Sequence, residues 1–214
     1  MLIRREEADF WRLLFNFYYF NNAEPVPTHW KRELEHLGGP AQFLWPEAWG
    51  ERNPLVAILA FSLMPNHLHL VLKELVDGGI SKFIHRVSMG YSKFINVKYS
   101  ESGSLFQGTF KSRLITDDND FRYLAAYVMV KNPFELYPGG LANAIEHFDD
   151  AYAHAIRSPF NSLADYAGKR ASPILDKDLL GEMFETPGAF KTFARECMQD
   201  RLDILEETVG GIGP

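Results

Sequence analysis

The sequence predicts an α+β fold, an antiparallel sheet with helices on one face, and three features carry that prediction. Two strand-like stretches, 55–64 and 67–72, flank Pro65-Asn66, which is turn chemistry. Two longer stretches, 6–21 and 80–98, repeat their apolar residues at helical spacing. The coarse order helix, strand, strand, helix, strand, helix then lets helices cover one side of a sheet.

Each element has its own justification. In 6–21, Phe10, Leu13, Leu14, Phe17 and Tyr18 share one helical face, a stripe suited to core packing. Asn22 to Pro27 is a loop, and Thr28 reads as the N-cap of a short helix that Gly38-Gly39 ends. Residues 40–54, with Trp45 and Trp49, follow no periodicity. Leu55 to Met64 is apolar apart from Ser62, and His67 to Leu72 alternates polar with apolar. Strand side chains alternate faces, so His67 and His69 project together while Leu68 and Leu70 project toward a core.

Asp77-Gly78-Gly79 turns the chain into a helix over about 80–98, its stripe formed by Ile80, Phe83, Ile84, Val87, Tyr91, Phe94 and Ile95. Lys82, Arg86 and Lys93 lie off that stripe, where they could follow a phosphate backbone. Leu105 to Ile115 alternates enough for a strand or hairpin arm, with Lys111 and Arg113 on one face. Thr116 to Asp120 is a capping cluster. The helix after it, about 120–131, carries Tyr123 and Tyr127 one turn apart and stops at Asn132-Pro133. Past Pro138-Gly139-Gly140 the pattern is helical over 141–157, 175–184 and 188–208, with a Ser, Ala and Gly-rich linker at 158–173. The expected division is a domain at 1–140 and a helical extension at 141–214 for packing or DNA contact, with packing favoured.

Composition narrows the function. One cysteine, Cys197, excludes an internal disulfide and a cysteine-based metal cluster. No apolar run is long enough to span a bilayer, and Met-Leu-Ile-Arg-Arg-Glu-Glu is no signal peptide, so a cytoplasmic protein without a membrane partner is expected. The net charge of −6 hides an asymmetry: Lys73 to Arg113 carries +4 and the remainder −10. A basic face meeting phosphates fits that asymmetry, as does a solvated helix face.

The chemistry gathers at His67-Leu68-His69. Two imidazoles about 7 Å apart along one strand face can share a divalent ion. A catalytic metal site also needs an open position and usually a third protein ligand. Glu74 lies five residues beyond His69, on the opposite face, and is discounted. Tyr127 is a candidate nucleophile, with core packing as the alternative for a tyrosine in an apolar helical run.

Met64-Pro65-Asn66-His67-Leu68-His69-Leu70-Val71 closely resembles the HUH signature of the REP-associated tyrosine transposases, within the single-tyrosine HUH transposases. Tyr91 to Asn96, Gly103 to Ser112 and Tyr123 to Pro133 are similar to that family's later segments, so the resemblance spans roughly residues 5–170. It implies a ferredoxin-like sheet and an enzyme that cleaves and rejoins single-stranded DNA, usually beside a hairpin. By position, His67 and His69 would hold Mg²⁺ or Mn²⁺, and Tyr127 would attack the scissile phosphate, leaving a 5′-phosphotyrosine and a free 3′-OH. The expected partner is single-stranded or hairpin DNA, with a homodimer possible in this family.

Two departures stand out. The family places a polar metal-binding residue four positions after its tyrosine, often the Asn of an Asn-Pro pair. Here position 131 is Lys and the pair falls at Asn132-Pro133. Either Asn132 reaches the metal through a distorted helix end, or Lys131 replaces it, or Tyr123 and Tyr127 exchange parts; Tyr127 with Asn132 is favoured. The family also begins with a strand in the central sheet, whereas this chain begins almost at the first helix, so two neighbouring strand edges are expected to be exposed: either the start codon is placed too late, or another segment fills the gap, or the protein is a decayed copy whose nuclease activity is in doubt. Two further functional readings stand beside the transposase: a hairpin-DNA-binding protein derived from one without nuclease activity, and a metal-dependent hydrolase that uses water at His67 and His69.

Overall fold

The computed structural model of the protein describes residues 2–30 and 43–200. Most of the short helix expected from Thr28, and positions 201–208 of the last one, lie outside them. The fold mixes α and β: among the described residues, a two-stranded antiparallel sheet accompanies several helices. No helix among those residues is long and apolar enough to cross a membrane. The chain divides into two compact units, Met1–Ala57 with Leu72–Phe110, and Ile58–Val71 with Lys111–Pro214.

The first unit is built on two helices, α1 (Glu7–Tyr19) and α2 (Gly79–Tyr99). The predicted stripe of α1 is buried throughout, from Phe10 to Tyr18. In α2 the buried residues are Gly79, Phe83, Val87, Tyr91 and Ile95, spaced by four as an α-helical seam requires. Gly90 allows close approach: a Cβ there would stand 2.3 Å from the Phe20 ring. Trp45 and Trp49, without an evident role in the sequence, pack edge to face on each other, and Trp45 stacks on Tyr19 while Trp49 meets it edge-on; the Tyr19 hydroxyl donates to the Leu44 carbonyl.

Asp9 is the polar centre of this unit. Its buried carboxylate accepts from the Arg5 and Glu6 backbone N–H groups, from Lys98 Nζ at 2.6 Å and from the Tyr99 hydroxyl at 2.9 Å. Burial alone would raise its pKa; the bonds from Lys98, Arg5, Glu6 and Tyr99 outweigh it and hold the pKa below 3.8. A depressed carboxylate stabilises the fold fully above the ordinary range and loses that contribution as pH falls through the folded value. The urea midpoint should therefore hold between pH 7 and 5 and decline below about pH 4, and Asp9→Asn should flatten that acid limb. An unchanged limb in the variant would put the acid sensitivity elsewhere.

The second unit carries most of the hairpin, Ile58–Val71. Strand β1 (Val56–Leu63) is buried along its whole length, and β2 (Leu68–Glu74) pairs with it after the Pro65-Asn66 turn, closed by the Met64 N–H donating to the His67 carbonyl at 2.9 Å. The other edge of β1 is not bare. Residues 160–162 pair with it: Leu63 N–H donates to the Phe160 carbonyl at 2.9 Å and Ser162 N–H to the Phe61 carbonyl at 3.0 Å. The Ser162 hydroxyl adds a second bond, and Tyr166 donates to the Leu59 carbonyl at 2.6 Å. A segment read as linker thus fills a strand position.

Helix α3 (Asp118–Ala126) is capped by Asp117, whose carboxylate accepts from Asn119 and Asp120 N–H. It runs into a π-helical turn, Tyr127–Lys131, and then α4 (Asn132–Glu135). The helix expected over 141–157 breaks at His147 into α5 (Gly140–Glu146) and α6 (Phe148–Arg157). After α7 (Leu163–Tyr166), α8 (Asp178–Met183) and α9 (Pro187–Asp200) pack on α3.

One expected element does not form. Residues 105–115 are irregular rather than a strand. Gly108 sits at φ +78°, turning the backbone in the middle of the stretch, and 107–114 are exposed, so the alternation of side chains faces no core.

Candidate functional site

The hairpin brings both histidines to one place. Their ring centroids are 5.0 Å apart and nearly perpendicular, on the shared face that strand alternation predicts. His67 Nδ1 meets Asn66 Oδ1 at 2.8 Å. An amide oxygen only accepts, so this bond puts the proton on Nδ1 and leaves the Nε2 lone pair available. His69 lies deeper, and its Nε2 is buried with no hydrogen-bond partner. Burial, with the charges of His67 and Lys131, pushes the His69 pKa down to about 4, and burial likewise lowers that of His67. At neutral pH His69 is an uncharged imidazole with a buried, unpaired nitrogen.

Tyr127, buried at the head of the π-turn, packs its ring edge-on to His69 with centroids 5.5 Å apart. Tyr123, one turn earlier, packs instead against Phe193 of α9. The structure therefore brings Tyr127, not Tyr123, to the histidine pair.

The π-turn sets the directions of the residues after Tyr127. In an α-helix, residues five apart point roughly 140° away from each other. Here the Asn132 N–H donates to the Tyr127 carbonyl, an i→i+5 bond that draws position 132 back over position 127. Asn132 is buried and its Nδ2 has no partner. The preceding residue, Lys131, extends over the Tyr127 ring with Nζ 4.9 Å from the centroid and donates to Glu135 Oε1 at 2.5 Å. An ammonium has no lone pair, so Lys131 as placed is a cation beside the site rather than a ligand. Lys131, Glu135 and the two imidazoles interact electrostatically.

Glu135 is a site residue that the motifs did not single out. Its signal lies in the spacing: Tyr127, Lys131 and Glu135 recur at every fourth position, the interval at which a lysine and a glutamate pair along a helix.

Two neutral imidazoles, one with an orphaned nitrogen, suit a divalent cation. Among the described residues no group of three His, Cys, Asp or Glu converges on one point. A cation held here would therefore keep open positions for water or phosphate oxygens. Glu74 turns away to accept from the Gly79 N–H at 2.8 Å, as its strand position requires.

The basic residues expected at DNA fall in both units. In the first unit, Arg86 donates to the Asn22 and Ala23 carbonyls and Lys82 to the Ala23 carbonyl, bonds that tie down the loop after α1, while Lys93 is exposed. In the second unit, Lys111 and Arg113 lie on the exposed irregular stretch, and Arg113 pairs with Asp120 at 3.0 Å.

No curated protein and no solved structure matches the chain significantly. A family model does: residues 51–131 match the model described as "Transposase IS200 like", a span that contains the hairpin, both histidines, Tyr127 and Lys131. On that match, the segment bearing the site is similar to the IS200-like transposases.

Proposed function

We propose that the protein is a metal-dependent single-strand DNA transposase of the REP-associated tyrosine type, its hairpin the histidine-bearing pair of a ferredoxin-like sheet. The observation that carries this reading is the ring packing of Tyr127 against His69, whose buried Nε2 has no hydrogen-bond partner. His67 and His69, with Asn132, whose backbone the π-turn ties to the Tyr127 carbonyl, would hold Mg²⁺ or Mn²⁺. When bound, the ion supplies positive charge against the oxygens of the scissile phosphate. Tyr127 Oη forms a bond to phosphorus as the bond to the 3′-oxygen breaks. The phenolic proton passes to solvent, and the 3′-oxygen takes one up. The phosphotyrosine conserves the bond energy for rejoining to a second 3′-OH. Lys93, Lys111 and Arg113 are proposed phosphate contacts, with Lys82 and Arg86 serving there only by giving up backbone carbonyls. Single-stranded or hairpin DNA is the proposed partner.

Covalent trapping tests the reading. Full-length protein with single-stranded hairpin oligonucleotides and Mn²⁺ should give a slow-migrating adduct on a denaturing gel. Tyr127→Phe should abolish it and Tyr123→Phe should retain it. Hairpin binding without any adduct would favour the non-cutting DNA-binding reading; phosphodiester turnover surviving Tyr127→Phe would favour a water nucleophile.

A further inference from the structure

Lys131 occupies a place where the resemblance leads one to expect a metal-binding amide. Its side chain is only 11% exposed, its Nζ stands over the Tyr127 ring, and its partner is a carboxylate from one turn later, Glu135. A buried lysine needs such a counter-charge. Glu135 is less confined, at 35% side-chain exposure, so it can turn to solvent at small cost. A lysine ammonium is a compact point charge with three donors, well matched to a phosphate oxygen.

We propose that Lys131 is a resident phosphate-binding cation at Tyr127, and that Glu135 is the counter-ion it exchanges for the scissile phosphate when DNA binds. The inference rests on the reading above in placing that phosphate at Tyr127. Lys131 donates to a non-bridging oxygen and stays protonated while the Tyr127 Oη–phosphorus bond forms and the bond to the 3′-oxygen breaks. Its charge offsets the negative charge that builds on the phosphoryl oxygens. The site then draws part of its positive charge from the chain itself, alongside whatever ion the histidines hold.

Binding in EDTA separates this proposal from the cleavage chemistry. Fluorescence anisotropy of a single-stranded hairpin oligonucleotide with the full-length protein, across a salt series, would be compared among wild type, Lys131→Met, Lys131→Arg and Glu135→Gln. Lys131→Met should weaken binding about tenfold at low salt and make the slope of log K against log salt shallower by about 0.7, the loss of one single-strand phosphate contact. Lys131→Arg should keep most of both. Glu135→Gln should tighten binding several-fold, because it removes the competitor for the ammonium. If the ion pair only holds the helix together, Lys131→Met and Glu135→Gln weaken binding alike. That result, or an unchanged slope in Lys131→Met, overturns the proposal. Misfolding cannot imitate tightening, so Glu135→Gln decides the matter even where Lys131→Met folds poorly. Absence of an adduct from wild type with Mn²⁺ would sink the cleavage reading without touching these binding measurements.

Discussion

His69→Leu should lower adduct formation by on the order of 10³-fold while leaving the protein as stable as before, or more so. The two halves of this expectation come from the same atom. His69 Nε2 is buried without a partner, and an unsatisfied buried polar group costs roughly 1–3 kcal/mol. Leucine is similar in bulk and removes that nitrogen, so the strand loses a penalty and little packing. With the pKa of His69 near 4, the imidazole is neutral at pH 7, and no favourable charge interaction is lost with it. A residue kept at a cost to the fold is the signature of a site. The checks are a thermal melt and the trapping gel on the same preparation. A variant melting well below wild type, by more than about 5 °C, would mean that His69 is a packing residue with an unseen partner. Full adduct yield from the variant would remove His69 from the chemistry.

Legibility in the sequence differs from residue to residue. The hairpin was readable because its determinants are local: a two-residue turn, a period of two, and both histidines on the same parity. Tyr127 was readable as the nucleophile only through the resemblance of Tyr123 to Pro133 to a family segment, since on the residues alone core packing fits it as well. The form of the distorted helix end favoured for Asn132 was not readable, because period-3.6 reasoning assumes i→i+4 bonding and the chain instead makes the i→i+5 bond from Asn132 to Tyr127. Alternation over 105–115 misled for the opposite reason: the pattern suits a strand, but Gly108 at φ +78° breaks the extended backbone that would display it. Lys82 and Arg86 look like free cations in the sequence, yet carbonyls of the loop at 22–23 engage both. The covering of β1 was the least readable, since Ser62 and its bridge partner Asn161 are separated by almost half of the chain.

That covering supports the second large expectation, that Asp165→Ala destabilises the second unit by about 3–5 kcal/mol. Asp165 is buried, and its carboxylate holds the returning segment in shape: Oδ2 accepts from Arg170 Nε at 2.8 Å and from the Arg170 terminal nitrogen at 2.6 Å, while Oδ1 accepts from Ser172 N–H at 2.7 Å. The same arginine also donates to the Asn161 carbonyl, inside the stretch that bridges β1. Removing the carboxylate leaves a partly buried guanidinium and a backbone N–H without their acceptor, and loosens Asn161 and Ser162 where they satisfy the strand edge. For a chain of this size the melting temperature should fall by about 10 °C, with increased aggregation from the bared edge. Asp165→Asn keeps one acceptor oxygen and should fall less. Because β1 carries the hairpin, the alanine variant should also lose adduct at temperatures where its melt is still incomplete, unlike His69→Leu, which loses adduct with no melt at all. A melting temperature within about 2 °C of wild type would show that residues 160–176 lie on β1 without holding it.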